Sequence, residues 1–482
     1  MGVTPNRHRL ATLVAALATS VTVLAVTGGP VRAAAVTVTN ATRFTDTTGA
    51  VVHAHGGGMI KVGGYHYWFG ENRNADNTFR YVSAYRSSDL RTWEFRNHVL
   101  TSASAGELAS ANIERPKVIY NAATGQFVMW MHKETATDYG QARAAVAVSS
   151  TVDGAYSYRG SFRPLGTHMS RDITTFVDDD GTGYMVSAAN ENADLNVYQL
   201  TADYTGVAAL VRSWPGAVRE APALFKRNGV YFMLTSGATG WSPNQQKYSS
   251  TTSITGTWSA WRNAGDATAY GSQTAYVLAI AGTSATSYLY LGDRWGNSLG
   301  GTVNDSRYVW LPLRFPSSTT MALDYYPSLV IDAAAGTVTG PPGSYLNVVA
   351  RHSGRCLDVV GASAADNAEI IQYACGAGLN QQWRRVDLGN GYMQLEARHS
   401  GKCLDVADRS TADNARVVQF ACGTGTNQQW QVQDAGGGYQ RFVARHSGRC
   451  LDVISGGTAD GVRLIQYACG AGTNQQWLGR TP

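Results

Sequence analysis

Four groups of residues stand at spacings that could support chemistry. Six cysteines fall into three pairs, Cys356 and Cys375, Cys403 and Cys422, Cys450 and Cys469, each pair 19 residues apart. An even number at so regular a spacing, with no Cys-x2-Cys, predicts three local disulfides in an oxidising compartment rather than a metal site. His53 and His55 could ligate a metal, but two close histidines have no third partner here and fit a site-lining role better. The run Asp178-Asp179-Asp180-Gly181-Thr182-Gly183 superficially suggests calcium, yet it lacks the later ligands of such a loop, notably a glutamate at its twelfth position, and reads as a hairpin turn. Finally, two glutamates sit in matching settings at the entry to apolar runs, Glu114-Arg115-Pro116 and Glu220-Ala221-Pro222.

The elements that must position these groups are strands. Apolar runs such as Tyr65 to Phe69, Phe127 to Met131, Val230 to Leu234 and Tyr288 to Leu291 are separated by Gly-rich turns, and no segment has convincing helical periodicity. Two internal echoes favour a propeller built from a repeated four-stranded unit. One joins the two Glu-x-Pro segments and the Gly-led strands after them; the other joins Ser87 to Trp93 with Ser249 to Trp261. The C-terminal third carries a plainer repeat. Arg351 to Val359 returns at Arg398 to Val406 and at Arg445 to Val453, and each copy ends in Asn-Gln-Gln-Trp, at Asn380 to Trp383, Asn427 to Trp430 and Asn474 to Trp477. Three copies imply a closed threefold object. Between the two parts, Gly340-Pro341-Pro342-Gly343-Ser344 predicts a short stiff linker or a tight boundary.

Residues 1–35 carry Arg7 and Arg9, an apolar run from Leu10 to Val26 and the small residues Ala33-Ala34-Ala35, the pattern of a secretory signal peptide, so a secreted protein is expected. The net charge is +5, and Arg7, Arg9 and Arg32 account for three of it, leaving +2 for the remainder. So balanced a charge gives no reason to invoke nucleic acid or an anionic membrane. The 12 Trp and 25 Tyr suit stacking on sugar rings, although aromatics also fill β cores.

The threefold Gln-x-Trp repeat with its paired cysteines resembles the ricin-type β-trefoil, a carbohydrate-binding module, over 345–482. That resemblance implies three tryptophans packed about a pseudo-threefold axis. It also implies galactose pockets formed by Asp358, Tyr373 and Asn380, by Asp405, Phe420 and Asn427, and by Asp452, Tyr467 and Asn474. A glutamine common two residues before the aromatic is replaced by Ile371, Val418 and Ile465, and the neighbouring Gln372, Gln419 and Gln466 are the candidates to compensate. Without pockets, the repeated Asp would simply tie a turn.

The segment Ala54-His55-Gly56-Gly57-Gly58-Met59-Ile60, then Gly64 to Glu71, Glu114-Arg115-Pro116, Ser170-Arg171-Asp172, Phe176 to Gly181, Glu220-Ala221-Pro222 and Gly271-Ser272-Gln273-Thr274, resembles the exo-β-1,3-galactanase branch of glycoside hydrolase family 43. The resemblance implies a five-bladed β-propeller over 36–340, with its site on the axis, that inverts the anomeric centre. By it, Glu220 is the general acid and Asp172 the group that modulates its pKa. The usual base, an aspartate in the first blade, is missing here, where His53-Ala54-His55-Gly56 stands. Gln273 matches the branch's alternative, either through a tautomer relay or by positioning water, or else as a substrate-binding amide. Glu114 would bond a galactose hydroxyl or support the water; Glu71 and Tyr139 are weaker candidates for contacts to the terminal sugar.

The expectation is therefore an all-β chain, a five-bladed propeller followed by a β-trefoil, acting as a secreted exo-β-1,3-galactanase. The polysaccharide partners would be β-1,3-galactan and arabinogalactan. No metal or other cofactor is called for, and a monomer is expected. The rivals are another family 43 activity, on arabinan or xylan, and a galactose-binding lectin that has lost catalysis.

Overall fold

The computed structural model describes residues 1–2, 35–315, 317–323, 325–340, 345–389 and 391–480. The expected signal peptide falls almost wholly on 3–34 and most of the expected linker on 341–344, outside the described residues. Among the described residues the chain is strands, turns and single 3-10 turns, with no α-helix.

Five four-stranded antiparallel sheets follow one another along the chain, each in sequence order. Their first strands are Met59–Val62, Ala111–Asn121, Ile173–Val177, Arg219–Arg227 and Gln273–Ala281. Each sheet buries both faces, which is why its second strand reads as a continuous apolar run instead of an alternating one. In Gln126–Thr135, Phe127, Met129 and Met131 pack toward the first sheet while Val128 and Trp130 pack toward the third. In Val230–Gly237, Val230, Phe232 and Leu234 face the fifth sheet while Tyr231 and Met233 face the third. Trp68 of the first sheet and Leu291 and Trp310 of the fifth share one more cluster, so the packing closes from last sheet to first. That closure is reinforced by a small sheet in which Val36–Thr39 pairs with Ser328–Asp332, itself paired with Thr337–Thr339.

The sequence echoes fall at equivalent places. The two Glu-x-Pro segments open the first strands of the second and fourth sheets. Each breaks register there, between Glu114 and Lys117 and between Glu220 and Ala223. In each bulge the residue after the glutamate is left-handed, with φ of 51° at both Arg115 and Ala221. The other echo lies in both cases between a sheet's third and fourth strands. The Asp178 run is the hairpin turn that the sequence suggested, with Asp178 N bonded to Thr182 O at 2.9 Å.

From Tyr345 onward twelve strands, four per repeat, form a single sheet whose first strand, Tyr345–Ala350, pairs with its last, Trp477–Arg480. Its core is made of triplets: Leu357, Leu404 and Leu451, Val359, Val406 and Val453, and the fully buried Trp383, Trp430 and Trp477. Each indole N–H finds a carbonyl, that of Leu357, Leu404 or Leu451. The three disulfides form in the expected pairs.

Candidate active site

The first strands of successive sheets lie side by side, the fourth against the fifth and the third against both the second and the fourth. The side chains that open them converge on a cavity of about 240 Å³. Glu71, Glu114, Tyr139, Asp172, Glu220 and Gln273, all singled out from the sequence, line it together. Glycine is required where the chain runs over the first sheet. A Cβ on Gly57 would stand 1.5 Å from the Phe69 carbonyl oxygen, and one on Gly56, at φ +63°, would stand 2.4 Å from Glu71 Oε1.

Glu220 is buried, and its two oxygens accept from Gln273 Nε2 and Asn192 Nδ2, both at 3.0 Å. Burial, and after it the Asp172 charge, push its pKa up to about 8 against the opposing pull of Arg115. It is therefore a carboxylic acid at neutral pH. Asp172 Oδ2 accepts from the Ala221 backbone N–H at 3.0 Å, and its Oδ1 lies 2.9 Å from Arg115 Nε. The bulge at Ala221 thus ties the acid's strand to the aspartate that raises it.

Glu114 is in the opposite condition. It accepts from Arg73 at 2.8 Å and from the Tyr139 hydroxyl at 2.6 Å, and its other oxygen lies 3.2 Å from His132 Nδ1. Burial works against ionisation, but the adjacent His132 and the Arg73 charge outweigh it and hold the carboxyl well below the usual range. His132 in turn is bonded to Glu134 at 2.8 Å. Burial disfavours its charge, yet the two flanking carboxylates raise the imidazole to about 9. Glu71, which shares Arg73 with Glu114, is pushed upward by burial, opposed by Arg73.

Gln273 has no hydrogen-bonding capacity left over. Its Oε1 accepts from Arg115 at 2.6 Å and from the Trp295 indole at 2.7 Å; its Nε2 donates to Glu220 and to Ser236. Because guanidinium and indole can only donate, the amide orientation is fixed. Arg115 also donates to the Thr274 carbonyl, so a single guanidinium bridges the third and fifth sheets from the second. Carboxylate and imidazole atoms of Glu114, His132 and Asp172 lie within 4.8 Å of one another, close enough for a cation, but the oxygens already face Arg73, Arg115, His132 and Tyr139.

Several lining residues were not foreseen. Trp241 and Trp295 form an edge-to-face pair at 5.0 Å on the cavity wall, with His132, Arg171 and Asn192 nearby. Both tryptophans sit beside glycine in loops, outside any apolar strand run, and that is the signal that could have marked them. His53 and His55, expected to line the site, are not among its lining residues. His55 is fully buried, stacks on Tyr308 and bonds Asp293 at 2.9 Å, which also accepts from Gly56 N, so its work is to fix the glycine run.

In the threefold part, Asp358, Asp405 and Asp452 each accept from the Asn and the first Gln of their own Asn-Gln-Gln-Trp motif, at 2.7 to 3.0 Å. Tyr373, Phe420 and Tyr467 expose 46%, 38% and 41% of their surface, leaving ring faces open to stacking. The neighbouring glutamines do not compensate for the missing one. Gln372, Gln419 and Gln466 are fully buried and donate to carbonyls of the adjacent repeat, Gln372 to Gly457 and Ala459 for example. Strand alternation turns them inward, and they lock repeat to repeat.

The sequence matches the model of glycosyl hydrolases family 43 over residues 57–276 and that of the ricin-type beta-trefoil lectin domain over 344–477. Among solved structures it is similar to an exo-β-1,3-galactanase from Clostridium thermocellum, with 48% identity over 92% of this chain and 100% of that one, at a TM-score of 0.66. It is also similar to an exo-β-1,3-galactanase from Phanerochaete chrysosporium in complex with galactose, with 29% identity over 92% and 94% of the two chains and a TM-score of 0.61. A family 43 β-1,3-galactosidase with galactodeoxynojirimycin matches at 31% identity over 60% of this chain and 99% of that one, with a TM-score of 0.55.

Proposed function

The chain belongs to glycosyl hydrolases family 43 and is a glycoside hydrolase, and from that premise we propose that it is an exo-β-1,3-galactanase releasing terminal galactose with inversion. The observation that carries the reading is Glu220, a buried carboxyl held protonated at neutral pH in a cavity walled by carboxylates and two tryptophans. Such a group can protonate the oxygen of the departing sugar while water attacks the other face of the ring, the proton that water sheds passing to solvent, from which the carboxylate is reprotonated. Asp172 raises the acid and orients Arg115. Glu114, kept ionised, supports the water or a galactose hydroxyl. Gln273 acts by position, since both acceptor sites of its oxygen are taken by obligate donors and none is left to receive a proton. Glu71 lines the wall for the terminal sugar, and Tyr139 does so through its hold on Glu114.

The catalytic domain is assigned to 36–340 as a five-bladed propeller, which the five sheets and their closing cluster support. The trefoil, assigned to 345–482, carries the three Asp, Asn and aromatic sets that hold the enzyme on arabinogalactan. Three disulfides support an extracellular setting after removal of residues 1–35, and the protein is taken to act as a monomer. The test is product analysis on β-1,3-galactan, β-1,4-galactan, arabinan and xylan, following the anomer by NMR. Release of α-galactose from the β-1,3 polymer alone is expected. Arabinose or xylose would move the enzyme elsewhere in the family, and no product with binding retained would make it a lectin.

A further inference from the structure

A second cavity, of about 290 Å³, lies beside the first on the third sheet. Neighbouring stretches of the chain line the two. Thr167, His168 and Met169 line the second and lead directly to Arg171 and Asp172 of the first. On the other side Asn190 lines the second and Asn192, which bonds Glu220, lines the first. Between them Asn190, Glu191 and Asn192 are all left-handed, at φ of 49°, 54° and 64°, and Glu191 is paired with Arg171, so the partition is a tight, tied loop.

The floor of this cavity has an unmet need. Asn196 is only 6% exposed, and its Nδ2 donates to the Tyr198 hydroxyl at 2.9 Å, but its Oδ1 is buried without a partner. A buried amide oxygen left bare in this way is destabilising, and a ligand donor would relieve it. The Tyr198 hydroxyl, itself buried, has its own proton to place, and His168 Nδ1 at 2.9 Å is the acceptor, which leaves His168 with a donating Nε2–H. Asp194, bonded through Oδ1 to Gly216 N, adds an acceptor, Ser213 a hydroxyl, and Leu210 an apolar face. Donors and acceptors alternate around a small apolar patch with no cluster of charge, which is the complement of a neutral sugar ring.

We propose that this cavity is a subsite for a sugar beyond the terminal disaccharide of the glycan whose terminal galactose occupies the first cavity. It rests on the galactanase reading. The sugar is either a further backbone unit or the first unit of a side branch, and substrates separate the two. The experiment compares wild type with Ser213→Trp, which fills the cavity, and Ser213→Ala, which does not, on β-1,3-galactobiose, linear β-1,3-galactan and branched arabinogalactan. For Ser213→Trp, KM is expected to rise about tenfold on a polymer with kcat unchanged, the mark of lost binding common to ground and transition states. The disaccharide should stay near wild type, and Ser213→Ala, which removes one hydroxyl of the lining without filling the space, should raise KM on the polymer by less than Ser213→Trp does. A rise on linear galactan assigns a backbone unit; a rise on arabinogalactan alone assigns a branch. No change on any substrate, or an equal change that includes the disaccharide, overturns the subsite. Wild type that releases no galactose from any of the three would instead overturn the galactanase reading itself.

Discussion

The two halves of the molecule use repetition in opposite ways. In the N-terminal ring the five sheets have diverged, and each contributes a different group to one shared cavity: Glu71 with Trp241 and Trp295 from strand ends and loops, Glu114, Glu220 and Gln273 from first strands, and Asp172 from the residue before one. In the C-terminal part the three repeats have stayed alike, and each completes its own Asp, Asn and aromatic set without help from the others. Divergent copies around an axis make one site that no single copy could make. Alike copies make three equivalent sets, each complete in itself.

That contrast sets how the two halves should fail. The Glu220→Gln variant should lower kcat by about 10²–10⁴-fold, the typical contribution of a general acid, while retention on insoluble arabinogalactan stays intact. Activity near the wild-type level would show that the ring's groups are more interchangeable than the cavity implies. A subtler break is in pH. The acid works while protonated, so kcat/KM should fall as pH rises through about 8. Asp172→Asn removes a charge that raises Glu220, so that alkaline limb should move toward lower pH, short of the unperturbed value because burial, the larger cause, is untouched. A limb that does not move would remove Asp172 from this role. The smallest effect belongs to the trefoil. Asp452→Ala alone should weaken retention by about threefold, since linked sites act through avidity, while the triple variant with Asp358→Ala and Asp405→Ala should abolish it. Turnover of β-1,3-galactobiose should be unchanged in both. Loss of retention from the single substitution would mean that the three pockets are not alike.

What the sequence discloses follows the same division. In the trefoil nearly everything is local: the disulfides, the tryptophans and the Asp to Asn bonds span 19 to 26 residues and recur three times. The glutamines were misread because facing a pocket and facing the next repeat depend on one step of strand alternation. In the ring, the apolar runs betray strands buried on both faces, and the Glu-x-Pro echo lands on a real structural repeat. The contacts that set the chemistry are another matter. Arg115 reaches Gln273 across 158 positions, and Trp295 and Trp241 enter from separate loops. No local pattern encodes such meetings, so His132 at the end of an apolar strand and the indole that pins Gln273 emerge only when the sheets are set around the axis.

Both halves are closed by their ends, Val36–Thr39 on Ser328–Asp332 and Tyr345–Ala350 on Trp477–Arg480. As the chain is delivered from its N-terminus, the opening strand of each half has to wait for a strand near that half's end before this closing pairing can form. Pairings so distant in sequence make folding slow and leave strand edges bare in the meantime. The cavity joins the first, second and fifth sheets through Glu71, Arg115 and Gln273, so hydrolytic competence arrives late and all at once, when nearly the entire ring has been delivered.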